Sequence, residues 1–139
     1  MNCKFVRIES HPNAVELRIT DITSPESQRS RDVHIEFSAS VDGFTGSGSC
    51  WVAAEDFNAF AIAVRQLYLS FKGHAKLISM SPGEMSLLLS PSNSRGYILV
   101  QFAGSKLQPF PCSMSGIFEV ELSSLAQLLA WSEFPRIEA

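Results

Sequence analysis

Few residues in this sequence stand at a spacing that chemistry could use. His34 and Glu36 are two apart on an alternating segment, so they point to one side, where such a pair could exchange a proton or hold part of a metal site. The solvated face of a sheet gives the same pattern. Glu119 and Glu121 repeat the arrangement with two carboxylates, but charges on an exposed strand also serve to discourage edge-to-edge aggregation. Cys50 falls on the small-residue side of its segment and reads as a buried thiol rather than a nucleophile. The run GFTGSGS, from Gly43 to Ser49, is not a phosphate cradle, because no lysine follows in P-loop spacing and GxGxxG is missing. The serines lie in turns and on strand exteriors, with no GxSxG elbow or SxxK pair. The expectation is a protein that is not an enzyme, with no catalytic residue, metal site or cofactor.

The elements that would position these residues are mostly strands around one helix. In EDFNAFAIAVRQLYLSFK, Glu55 to Lys72, the residues Phe57, Phe60, Ala61, Val64, Leu67, Tyr68 and Phe71 recur at helical spacing and share one face. Glu55 and Asp56 suit the positive end of the helix dipole, and Gly73 is the expected left-handed cap after Lys72. Ile62 and Leu69 fall outside the stripe, beside Asn58, Arg65 and Gln66, and form a minor apolar face. Upstream, strands are expected from Cys3 to Ile8, around Val15 to Ile19, from Val33 to Val41 and from Phe44 to Val52. Asp42-Gly43 supplies a hairpin turn between the last two. Thr23 to Arg31 reads as a loop. Gly46 and Gly48 leave the fourth strand small at its centre, a place for the aromatic face of the helix to be received.

Downstream, His74 to Ser79, Met85 to Leu89 and Tyr97 to Phe102 read as a meander, since their short connections suit antiparallel neighbours. Gly104 to Gly116 is expected to be a long loop carrying Leu107 and Phe110, followed by a strand from Ile117 to Leu122 and a short Leu-rich helix. The fold class is therefore α+β: a mainly antiparallel twisted sheet of about seven or eight strands, one long central helix and a short C-terminal helix. No internal repeat or linker is visible, so residues 1–139 are expected to form a single domain.

Composition narrows the function. A net charge of -3, with no basic stripe, argues against nucleic acid as a partner. Three scattered cysteines match neither a disulfide framework nor a zinc site and suit a reducing cytoplasm. No signal-peptide pattern or membrane-length apolar run is expected to anchor the chain.

The order of pieces resembles small bacterial proteins of the WapI immunity type, which protect a cell from a polymorphic or contact-delivered toxin. The matching residues are Val52, Asp56, Phe57 and Phe60; Arg95, Gly96, Tyr97, Ile98 and Val100; and Phe118, Val120 and Leu122. The resemblance implies a non-catalytic binding protein with a toxin protein as partner, and it carries no contact residues of its own. The candidate contacts are read from position: Glu16 and Glu36 on outward strand faces, Glu119 and Glu121 near the end, and Leu107 and Phe110 in the loop. Ile62 and Leu69 are candidates for a homodimer or partner surface. The alternative readings are a small-molecule binding module, using the concavity above Gly46 and Gly48, or a homo-oligomeric protein.

Overall fold

Alternating burial drives eight segments into strands, and short polar turns pair each with its successor. In the computed structural model, which describes residues 4–23, 31–93, 96–106 and 111–137, the order is β1 (Phe5–Ser10), β2 (Asn13–Ile22), β3 (Val33–Val41), β4 (Phe44–Val52), α1 (Ala54–Ser70), β5 (Ala75–Ile78), β6 (Met85–Pro91), β7 (Tyr97–Lys106) and β8 (Cys112–Glu121). A 3-10 turn, Leu122–Ser124, then leads into α2 (Leu125–Ile137). The strands do not form one sheet. They divide into two four-stranded antiparallel sheets, β1-β2-β3-β4 and β5-β6-β7-β8. The loop expected from Thr23 to Arg31 falls largely outside the described residues.

Several boundaries differ from the sequence expectation for local reasons. Asp42 and Gly43 both take positive φ, 52° and 86°, as a two-residue hairpin turn requires. The helix stops at Ser70, before Lys72, and Phe71 rather than Gly73 adopts the left-handed cap at φ 56°, its N–H bonding Leu67 O at 2.9 Å. Phe71 tolerates that conformation while its ring packs against the core. Most of the expected loop from Gly104 to Gly116 is hairpin: Gly104 pairs with Met114 and Lys106 with Cys112. Glycine and serine hide these strand ends from propensity, and cross-strand pairing supplies the order that propensity lacks.

The architecture repeats although the sequence does not. Each half is four sequential strands followed by a helix, and the registers correspond row by row: Val6, Leu17, Phe37 and Gly48 lie across the first sheet as Leu77, Leu87, Phe102 and Gly116 lie across the second. The equivalent rings of Phe37 and Phe102 touch, with centroids 5.7 Å apart. The helices are exchanged: α1 packs on β5 of the second half, α2 packs on β1 of the first, and the two helices pack on each other. Reciprocal contacts of this kind are those of a local two-fold axis. Because each helix covers the other half's sheet, the halves share one hydrophobic cluster, which includes Phe57, Phe60, Val64, Leu67, Leu125, Leu128 and Trp131. Trp131 is fully buried, packs tilted against the Phe57 ring with centroids 5.3 Å apart and donates its indole N–H to Lys4 O at 3.0 Å.

Four strand glycines, Gly46, Gly48, Gly104 and Gly116, sit where the sheets meet, not under the helix. A Cβ on Gly48 would lie 2.7 Å from the Phe37 ring, one on Gly104 3.1 Å from the same ring, one on Gly116 2.7–2.9 Å from Val41, and one on Gly46 3.1 Å from the Met114 sulfur. The aromatic stripe of α1 is thus received by β5 and α2, and the small centre of β4 admits Phe37 and Met114 instead.

Candidate functional site

Alternation that fills the core leaves the opposite face of each sheet to solvent, and these two faces hold most of the residues with binding chemistry. On the first sheet, the Arg7 guanidinium donates to Glu9 at 3.0 Å and to Glu16, and Ser38 donates to the other Glu16 oxygen at 3.2 Å. The register places Arg7, Glu16, Ser38 and Ser47 in one row and Phe5, Arg18, Glu36 and Ser49 in the next. Arg18 lies over the Phe5 ring at 4.9 Å, while Glu36 is exposed and has no hydrogen bond or ion pair among the described residues. Two open depressions of about 480 and 490 Å³ adjoin here and share Glu16, Ser38 and Ser47. Lys106 of the second sheet reaches into the first of them.

His34, also on this face, is not poised with Glu36 for acid-base work. Its ring tilts against Trp51 with centroids 5.0 Å apart, and its Nδ1 lies 2.6 Å from the Thr20 hydroxyl. Cys50 is buried in the core, where desolvation, reinforced by the charge of Glu84, pushes its thiol up to about 12. It remains a protonated apolar side chain across the physiological range. Among the described residues, no three His, Cys, Asp or Glu side chains come together in a group that could hold a metal ion, and no helix is long and apolar enough to cross a membrane.

The four candidate glutamates do not share a surface. Glu16 and Glu36 lie on the first outer face; Glu119 and Glu121 lie on β8 of the second, opposite Leu99 and Tyr97. Glu119 accepts a hydrogen bond from the Ser92 hydroxyl. The second outer face carries Leu88, Leu99 and Ile117, and Leu88 and Ile117 border a shallow depression of about 450 Å³ that Lys76 and Gln101 also line. Ile62 and Leu69 stay exposed on α1, at 54% and 70%, with Arg65 between them bonded to Glu133 of α2 at 2.8 Å. Leu107 and Phe110 lie outside the described residues.

Sequence reasoning missed Asp32. Its carboxylate is buried just ahead of β3 and accepts the Ala54 N–H at 3.0 Å, at the start of α1, where the N-cap residue Ala53 offers no side-chain acceptor. The signal was the absence of a capping residue before Glu55, which obliges another part of the chain to supply one. A slot of about 170 Å³ lies between the sheets, lined by Phe37, Gly46, Phe102, Gly104 and Met114, with Lys106 and Cys112 among its other walls; of the concavity expected above Gly46 and Gly48 it includes Gly46.

Fold and faces together define an α+β domain made of two interlocked ββββα halves, carrying one charged and one more apolar outer surface. No family model, curated protein sequence or solved structure matches the chain.

Proposed function

We propose that this chain is a non-catalytic cytoplasmic binding protein of the immunity type, which neutralises a bacterial toxin domain by covering it. The observation that carries the reading is the outer face of the first sheet, where Glu16 is held in place by Arg7 and Ser38 beside the open carboxylate of Glu36. Side chains on paired strands lose little further freedom on binding, so such a face favours recognition by complementarity. Its carboxylates, on a chain of net charge -3, suit a basic partner through steered association. The test is copurification from the native host, followed by coexpression with any toxin fragment that this recovers, reading growth and the affinity of the purified pair. Glu16→Lys with Glu36→Lys should weaken binding by about tenfold or more and steepen growth inhibition. Unchanged affinity and full protection by the double variant would reject this surface.

A second reading, a small-molecule binding module, is favoured by the inter-sheet slot between Phe37 and Phe102. At about 170 Å³ it is smaller than the roughly 300–1,000 Å³ of ordinary ligand pockets, so it would take only a small planar group. Thermal shifts against a metabolite panel, lost in Gly104→Ala, would favour it over the first reading.

A further inference from the structure

The outer face of the second sheet carries leucines on its central strands and is oppositely charged at its two edges. Leu88 and Leu99 stand on the two central strands beside Gln101, and Ile117 adjoins them on β8, where it is 53% exposed. Lys76 stands on β5, one edge strand, while Glu119 and Glu121 stand on β8, the other. The register places Lys76, Leu88, Gln101 and Ile117 in one row, with Leu99 and Glu119 in the next.

We propose that this face is a homodimer interface, on which a second copy of the chain stacks face to face about a two-fold axis parallel to the strands. That rotation lays β5 of each copy over β8 of the other. Lys76 then stands above the second copy's Ile117, and Glu119 lies one row away, about 7 Å along the strand and within reach of the flexible lysine stem. The pairing occurs twice by symmetry, while on the central strands Leu88 of each copy comes over Gln101 of the other and Leu99 over Ser90. A face with a basic edge, an uncharged centre and an acidic edge is complementary to itself, whereas a uniformly basic partner would be repelled at Lys76. Four strands at about 4.8 Å spacing and a length of about 20 Å make a small patch. That footprint, on the order of 400 Å² per copy, falls below the roughly 1,200 Å² total of stable specific interfaces, so the dimer is a weak one that dissociates on dilution. The surface is separate from the one assigned to the toxin, and either assignment can fail without the other.

Sedimentation velocity across the micromolar to millimolar range tests it, with thermal melting to confirm that each variant is folded. The wild type should show a monomer–dimer equilibrium that Lys76→Glu, Glu119→Lys and Ile117→Ser each weaken by about tenfold or more. The combined Lys76→Glu/Glu119→Lys variant should recover it, because the swap restores the pairing. A monomer at every concentration would overturn the proposal. So would a double variant no tighter than the singles, or a dimer that survives Ile117→Ser but is lost in Ile62→Ser/Leu69→Ser.

Discussion

The two halves of this molecule solve the same folding problem and present different surfaces. On the inside they agree: a phenylalanine faces a glycine across the third and fourth strands of each sheet, Phe37 with Gly48 and Phe102 with Gly116. Outside, the row Phe5, Arg18, Glu36 and Ser49 corresponds to Lys76, Leu88, Gln101 and Ile117, and no type is kept. Burial and close approach constrain the inner rows, because packing at interior density leaves little freedom of volume. The outer rows carry no such constraint, which is why binding chemistry can differ between them at little cost to the fold.

The largest effect should come from breaking the aromatic contact that joins the halves. Phe37→Ala and Phe102→Ala each remove a buried ring and should cost about 3–5 kcal/mol in denaturant unfolding. Phe37→Ala should be the worse of the two, because both rings lie against Gly104 but only that of Phe37 also fills the space over Gly48. Equal losses would mean that the halves are packed more symmetrically than these contacts imply.

A second difference is chemical. Cys50 pairs with Ile35 where the other half pairs Phe118 with Val100, so only the first half buries an ionisable group at that position. An unburied thiol ionises near 9.0, and the buried one near about 12. The unfolded chain therefore loses this proton first as pH rises. The contribution is complete below about pH 9 and declines toward pH 12 at about 1.4 kcal/mol per pH unit. Comparing wild type with Cys50→Val by chemical denaturation from pH 8 to 11 isolates this slope, since every other group is common to both. A pH-independent difference between them would mean that the thiol is hydrated in the fold.

Glycine contacts sharpen the comparison at smaller scale. At Gly116 a new methyl meets the Val41 Cβ at 2.8 Å, an atom fixed to the backbone, whereas at Gly48 it meets the far end of the Phe37 ring at 2.7 Å. Overpacking should therefore cost about 2–3 kcal/mol in Gly116→Ala and about 1 kcal/mol in Gly48→Ala, read from the midpoint of urea unfolding. The reverse order would place the rigid side of the seam in the first half.

What the sequence discloses follows from the range of each interaction. The face of α1 is legible because Phe57, Phe60, Val64 and Leu67 obey a local period, and the β3–β4 hairpin because Asp42-Gly43 fixes its own turn. The division into two sheets is not legible, since antiparallel pairing of neighbours looks alike within one sheet or two. The repeat is hidden because core positions conserve volume and polarity rather than identity: Val52, Phe57 and Phe60 stand in the same spacing as Val120, Leu125 and Leu128. For the candidate site, alternation showed that Glu16, Glu36, Glu119 and Glu121 face outward. It could not show that they serve two surfaces, because that depends on which strands end in which sheet.

The helix entrances give the finest contrast between the halves. A 3-10 turn leads into α2, while α1 begins abruptly after Ala53 and takes its first acceptor from Asp32, which is distant in sequence. Thr23 accepts the Asp32 N–H at 2.8 Å, so the cap also ties the end of β2 to the start of α1. Asp32→Ala removes the acceptor from the Ala54 N–H and should cost about 1–2 kcal/mol, with Asp32→Asn recovering most of it because the amide oxygen can still accept. Hydrogen exchange should show the loss concentrated at the first turn of α1, leaving α2 protected. If both helices lost protection together, the exchange of helices between the sheets would be the stronger coupling, and the cap would act on the whole domain rather than on one half.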